Sequence, residues 1–173
     1  LLADVELTGT VAVEKAITID LGGNKVTANC RKAFEVYANT TIKNGTIEAL
    51  NRCVDTRKAV ELTLEEVTLV ADNYTQAYSN PQPLTIGGSE NGTKLTMTNS
   101  TISAKAGYGI ISFVKTEATI SNSTIGGYNA YYAKEGSNGS VFNFVKSTLT
   151  GDCTGNDVEG NSFSAIAIQE NGV

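Results

Sequence analysis

The chain has no histidine and no tryptophan among its 173 residues, one methionine and only two prolines. It also lacks any large block of positive charge. Thirteen Lys and Arg stand against eighteen Asp and Glu, giving a net charge of −5. A duplex-binding surface must displace counterions with a basic face, and beyond Arg52, Arg57 and Lys58 no such cluster exists, so nucleic acid is not an expected partner. No stretch approaches the roughly 18–20 consecutive apolar residues of a spanning helix, so no membrane span is expected in this segment. Nor does any stretch sustain a 3.6-residue apolar period; the best candidate, Cys53 to Leu69, alternates like a strand. Three cysteines are too few and too scattered for a disulfide framework or a zinc site. Cys30 and Cys53 lie about one repeat apart, so stacking would allow a disulfide between them, with Cys153 left free.

Thr, Ser, Asn, Gly, Val and Ile are abundant, a composition that favours strands and turns. The length fits one domain, residues 1–173, and the opening Leu1-Leu2-Ala3-Asp4 reads like the middle of a strand, as in a piece of, or a product processed from, a longer chain.

One phrase recurs: an apolar residue, three small or polar residues, usually Thr, and a second apolar residue. Its copies are I-K-N-G-T-I (Ile42 to Ile47), L-E-E-V-T-L (Leu64 to Leu69), M-T-N-S-T-I (Met97 to Ile102), I-S-N-S-T-I (Ile120 to Ile125) and F-V-K-S-T-L (Phe144 to Leu149). L-G-G-N-K-V (Leu21 to Val26) fits without the Thr. I-Q-E-N-G-V (Ile168 to Val173) is a seventh, demoted to an unfinished turn if Ala165 to Ile168 is itself a strand. Their first positions are 21, 22, 33, 23, 24 and 24 residues apart. A phrase with this period marks a stacked, quasi-one-dimensional fold.

Asn44, Asn99 and Asn122 occupy the same place in three copies, followed by Gly45, Ser100 and Ser123. Asn and Gly tolerate left-handed backbone, so each copy reads as two short strands joined by a bend. A third strand precedes most copies: Ala33 to Val36, Cys53 to Thr56, Pro83 to Ile86, Gly109 to Ser112 and Ala130 to Ala133. Three parallel strands per repeat predict an all-β, single-stranded, right-handed parallel β-helix of six to seven turns. At about 4.8 Å per turn it is a rod roughly 30 Å long. Leu21, Ile42, Leu64, Met97, Ile120 and Phe144 are expected to stack as one interior column, and Val26, Ile47, Leu69, Ile102, Ile125 and Leu149 as another. Thr46, Thr68, Thr101, Thr124 and Thr148 form an external column, and Asn44, Asn99 and Asn122 a partial amide ladder broken by Glu66 and Lys146. An antiparallel sandwich does not need such columns. A leucine-rich horseshoe needs an L-x-x-L-x-L-x-x-N pattern that is absent.

These repeats, and the opening A-D-V-E-L-T-G-T-V-A-V-E-K-A-I-T-I-D-L-G-G-N-K-V-T-A (Ala3 to Ala28), resemble the right-handed β-helix segments of the pectate-lyase-like superfamily. In particular they are similar to those of large bacterial cell-surface proteins. The resemblance spans nearly the whole chain, with Gly23-Asn24 where Asn-Gly is more usual. It implies the fold and leaves function open.

Enzymes of that superfamily act on acidic polysaccharides. Hydrolysis there implies clustered Asp with a His, and this chain has no His and no Asp-Asp pair. A lyase implies calcium held by acidic side chains plus a basic proton acceptor; the comparable set is Asp55 with Arg52, Arg57 and Lys58, which reads more readily as a solvated charged surface. Asp152, Asn156, Asp157 and Glu159 form an acidic loop that lacks the spacing of a known calcium loop and reads as a polar surface loop. No cofactor is expected. Tyr74, Tyr78, Tyr108 and Tyr128, with Asn73 and Asn129, are a candidate glycan-binding flank, since sugars stack on flat aromatic faces; Tyr131 and Tyr132 are neighbours, one of which strand alternation sends inward. Thr rows also suggest ice binding, against which Lys43 and Glu65 interrupt the row. Three of the seven N-x-S/T sequons are the turn asparagines themselves. The sequence thus points to a non-catalytic structural or adhesive module, extracellular or at a microbial cell surface, whose partners are glycans or further copies of itself. The alternatives are a subunit stacking end to end through open strand edges, and a polysaccharide lyase.

Overall fold

The computed structural model describes residues 1–71, 80–152 and 164–169. The chain opens with β1 (Val5–Leu7), β2 (Val11–Val13) and β3 (Ile17–Asp20), followed by β4 (Lys25–Ala28) and β5 (Lys32–Val36). Next come β6 (Thr40–Ala49), β7 (Arg52–Thr56), β8 (Glu61–Val70) and β9 (Leu84–Ile86). β10 (Thr93–Thr98), β11 (Thr101–Ser103) and β12 (Tyr108–Ser112) precede β13 (Thr116–Ser121), β14 (Thr124–Gly127) and β15 (Asn129–Ala133). β16 (Val141–Val145), β17 (Thr148–Gly151) and β18 (Ile166–Ile168) complete the set. There is no helix among the described residues, and so none long and apolar enough to cross a membrane.

The strands coil into a parallel β-solenoid of about six turns. β3 to β5 are the first turn, β6 and β7 the second, β8 and β9 the third, and the last nine strands supply three more. An eleven-stranded sheet holds two limbs that meet at a corner, and a seven-stranded sheet, ordered β18-β15-β12-β9-β7-β5-β2, closes the coil.

After the first turn, whose corner holds Gly22 (φ 61°) and Gly23 (φ 82°), the corner comes from one residue per turn in left-handed backbone: Asn44 (φ 60°), Glu66 (φ 53°), Asn99 (φ 50°), Asn122 (φ 49°) and Lys146 (φ 49°). β6 and β8 run through it unbroken, because one such residue bends a strand without ending its hydrogen bonding. Period-two alternation then sends every second side chain inward.

Register places the columns residue by residue. Val26, Ile47, Leu69, Ile102, Ile125 and Leu149 are successive partners, as the repeat requires. Thr46, Thr68, Thr101, Thr124 and Thr148 run beside them on the outside. In the other column Ile42, Leu64, Met97, Ile120 and Phe144 stack as expected, but their partner on the first turn is Ile19, not Leu21. The first corner carries two extra residues, which pushes Leu21 past the column. It fills instead the space left by the absent side chain of Gly45, where a Cβ would come within 2.6 Å of Leu21 Cβ. A second external row, Thr18, Thr41, Thr63, Thr96 and Thr119, follows the other limb. The interior is mainly apolar, with Ile42, Leu64, Met97 and Ile120 wholly buried and Thr56 and Ser112 as buried polar exceptions.

Cys30 and Cys53 are not bonded to each other. Lys32 pairs with Arg52 and Phe34 with Val54, so Cys53 faces the strand one residue past Lys32, and Cys30 precedes β5 altogether. Cys53 Sγ lies inside the coil against the carbonyls of Ile47 (3.3 Å) and Val70 (3.2 Å), while Cys30 Sγ contacts the Lys32 carbonyl (3.1 Å).

Candidate functional site

The outer face of the seven-stranded sheet is where side chains change character from turn to turn. Its outward column reads Ala12, Glu35, Asp55, Thr85, Ile111, Tyr132 and Ala167. The flanking columns, Val11–Phe34–Val54–Leu84–Ile110–Tyr131–Ile166 and Val13–Val36–Thr56–Ile86–Ser112–Ala133–Ile168, face the interior.

On the first two turns this face is ionic. Asp55 has no exposed surface although it points outward. Its Oδ2 lies 2.8 Å from Lys32 Nζ, 2.8 Å from Arg52 Nη1 and 3.6 Å from Arg57 Nη1. Glu35 Oε1 is 2.5 Å from Lys32 Nζ and 3.7 Å from Arg57 Nε. Tyr37 donates its hydroxyl to Glu35 Oε2 at 3.4 Å. The hydrogen bond from Lys32 holds the Glu35 carboxyl below the usual carboxylate range, helped by the charges of Lys32 and Arg57 and opposed by partial burial. Two buried atoms of the cluster, Asp55 Oδ1 and Arg52 Nε, have no hydrogen-bond partner.

The structure therefore brings together Asp55, Arg52 and Arg57 and leaves out Lys58, which is exposed and whose carbonyl accepts a 3.4 Å bond from Thr93 Oγ1. It adds Lys32 and Glu35 from the preceding turn. Sequence carried the signal: K-A-F-E (Lys32 to Glu35) and R-C-V-D (Arg52 to Asp55) repeat a cation and an acid three residues apart. Stacking sets like pairs in register, so Lys32 meets the acid of its own turn and that of the next, and Arg57 meets Asp55 of its own turn and Glu35 of the one before.

Further along, the face is aromatic. Tyr108 and Tyr132 pack with ring centroids 4.8 Å apart, tilted by 46°, and Lys134 Nζ sits 4.8 Å from the Tyr132 ring centre. With Ile111 they form a small apolar cluster outside the main core. Tyr131 goes inward: it stacks on Phe142 at 4.1 Å and its hydroxyl meets Ser112 Oγ at 2.8 Å. Burial pushes that hydroxyl's pKa upward, with the Ser112 bond working against it.

The expected glycan flank is accordingly changed. Tyr108 is only 5 % exposed and Asn129 4 %, so neither offers a face to solvent. Asn129 serves the fold, its amide donating to the Ser164 carbonyl at 2.8 Å. Tyr128 is half-buried, and Asn73, Tyr74 and Tyr78 lie outside the described residues. Of the acidic loop, Asp152 is exposed, while Asn156, Asp157 and Glu159 also lie outside them. Among the described residues no three His, Cys, Asp or Glu side chains gather as a metal set.

The corner asparagines form no amide ladder. Left-handed backbone turns Asn99 and Asn122 to solvent, and Asn44 Nδ2 bonds Asp20 Oδ1 at 3.1 Å. The rungs are made one residue later by serine. Val67 N–H donates to Ser100 Oγ (3.1 Å), Ser100 N–H to Ser123 Oγ (3.1 Å) and Ser123 N–H to Ser147 Oγ (3.2 Å). Each hydroxyl donates in turn to a carbonyl two residues back. Comparison with models of known families, with curated proteins and with solved structures finds no match for this chain.

Proposed function

We propose that the chain is a non-catalytic structural and adhesive module of an extracellular microbial surface protein, of the pectate-lyase-like β-helix kind. The observation that carries this reading is the division of labour among its faces. Both limbs of the larger sheet repeat the same outward Thr on turn after turn, which suits a stiff spacer. The outer face of the smaller sheet instead changes from ionic to aromatic and is the surface suited to contact a saccharide, through Arg57, Lys134 and Tyr128. Arg57 remains 38 % exposed and Lys134 and Tyr128 half-buried, within reach of a ligand laid along the face. Binding of the purified chain to arrayed acidic and neutral glycans tests this. The expected result is retention that Arg57→Ala, Lys134→Ala or Tyr128→Ala weakens without altering circular dichroism. Retention indifferent to all three removes the face from the reading, and release of unsaturated, ultraviolet-absorbing products from pectin or alginate replaces it with a lyase.

A second reading, a subunit stacking end to end, is favoured by apolar side chains at the two ends of the coil: Val11 and Ile17 at one, Val141, Ile166 and Ile168 at the other, each 37–55 % exposed. Sedimentation over a wide concentration range separates the readings, a strictly monomeric chain excluding the second.

A further inference from the structure

Ion pairs are unevenly spread along the solenoid. Of the eight that join described residues, seven lie between Asp20 and Arg57, within the first two turns. The eighth, Lys94 with Glu61, has both side chains more than half exposed. The later corners are held by the neutral hydroxyls of Ser100, Ser123 and Ser147, which do not titrate. We propose that the Lys32–Glu35–Arg52–Asp55–Arg57 cluster is an acid-released latch: neutralising Glu35 in acid opens the contact between β5 and β7 while turns four to six stay closed.

Three cations face two carboxylates around Asp55, which has no exposed surface, and Lys32 and Arg52 keep only 16 % and 15 % of their side-chain surface exposed. Protonation of Glu35 leaves Lys32, Arg52 and Arg57 gathered around the single Asp55 carboxylate, with more positive than negative charge, and like charges at this range repel strongly where screening is weak. The neighbouring strands supply no replacement. β2 contributes Ala12 to the outward column, with Glu14 and Lys15 beyond it both exposed, and β9 contributes Thr85, hydrogen-bonded to Gln82. Exposed Arg31 and Lys58 at the margins add further positive charge.

Even in the neutral-pH state the cluster is imperfectly satisfied, since Asp55 Oδ1 and Arg52 Nε are unpartnered. A buried ionic group of this kind contributes little net stability and is retained in some proteins as a switch or register device. For Glu35, whose folded-state pKa is depressed, the stabilisation is complete above its unfolded pKa and is lost as pH falls through the lowered value, so release occurs on the acid side of the carboxylate range. Because solenoid turns interact only with their neighbours, loosening the first two does not require the rest to open.

Hydrogen exchange of the whole chain, with protection corrected for intrinsic rates, tests the latch at neutral pH and at about pH 3.5. The expected result is a loss of protection of about tenfold or more in β5 and β7 at acid pH, with β12 and β15 unchanged. Asp55→Asn is expected to lose that protection already at neutral pH. The combined Lys32→Met, Arg52→Met, Asp55→Leu variant replaces the buried charges by apolar volume and is expected to keep β5 and β7 protected at both pH values. Undiminished protection of the native chain in acid overturns the proposal. So does an equal loss in β12 and β15, or an acid response that survives in the triple variant.

Discussion

At the scale of the residue, the corner positions show how local conformation selects side chains. Five corners place a non-glycine residue in left-handed backbone, and two of them have Glu66 and Lys146 where the others have Asn. Left-handed backbone costs an ordinary L-residue about 1–2 kcal/mol, and Asn less because its amide bonds locally. Glu66→Asn and Lys146→Asn are therefore each expected to stabilise the chain by about 0.5–1 kcal/mol, read from urea midpoints at constant slope. The thiols differ for another reason. Cys53 is wholly buried and Cys30 partly exposed, so peptide-resolved alkylation of the native chain is expected to modify Cys30 well before Cys53. The similar sequence spacing of these two cysteines to one repeat concealed this difference, because a period fixes height along the coil but not the position around it.

At the scale of the element, stacking is secured by groups that the repeat shows without ranking. Asn44, Asn99 and Asn122 stand out in the sequence, yet left-handed backbone turns the amides of Asn99 and Asn122 outward and brings Ser100 and Ser123 against the neighbouring turn. Ser123 exemplifies the consequence: it accepts from the buried Ser100 N–H at 3.1 Å and donates to the Ser121 carbonyl at 2.7 Å. Ser123→Ala orphans that N–H and is expected to cost about 1–3 kcal/mol, measured by denaturant unfolding. Gly45 has no freedom either, as a Cβ there would lie 2.4 Å from the Asn24 carbonyl oxygen. Gly45→Ala is expected to destabilise by about 1–3 kcal/mol, the range for overpacking, because neither backbone nor core can retreat.

At the scale of the molecule, the coil is a one-dimensional stack, and the effect of a substitution depends on its height. Leu64 has Ile42 on one side and Met97 on the other, and all three are wholly buried. Leu64→Ala leaves a cavity walled on every side and is expected to cost about 2–5 kcal/mol. Phe144 ends the same column and is only partly buried, so Phe144→Ala is expected to cost less despite removing a larger side chain, a comparison that thermal unfolding of the pair decides. The same one-dimensionality lets an ionic first half and a hydroxyl-bonded second half respond differently to acid.

Sequence alone determined the period, the strands and the two columns that follow the repeated phrase, because parallel stacking sets like residues on like at a constant interval. It also gave the composition of the outer Thr row beside Thr46, since alternation from a buried Ile or Leu leaves no other direction. Only the tertiary structure decided what depends on position around the coil and on exceptions to the period. Two extra residues at the first corner replaced Leu21 by Ile19 in the column, and register put Lys32 and Glu35 beside Arg52 and Asp55. Tyr108 and Asn129, polar or aromatic groups that a sequence offers to solvent, were packed away because the turns around them approach closely enough to claim their surface. A repeat fixes which residues share a height; the closure of the coil fixes which of them meet.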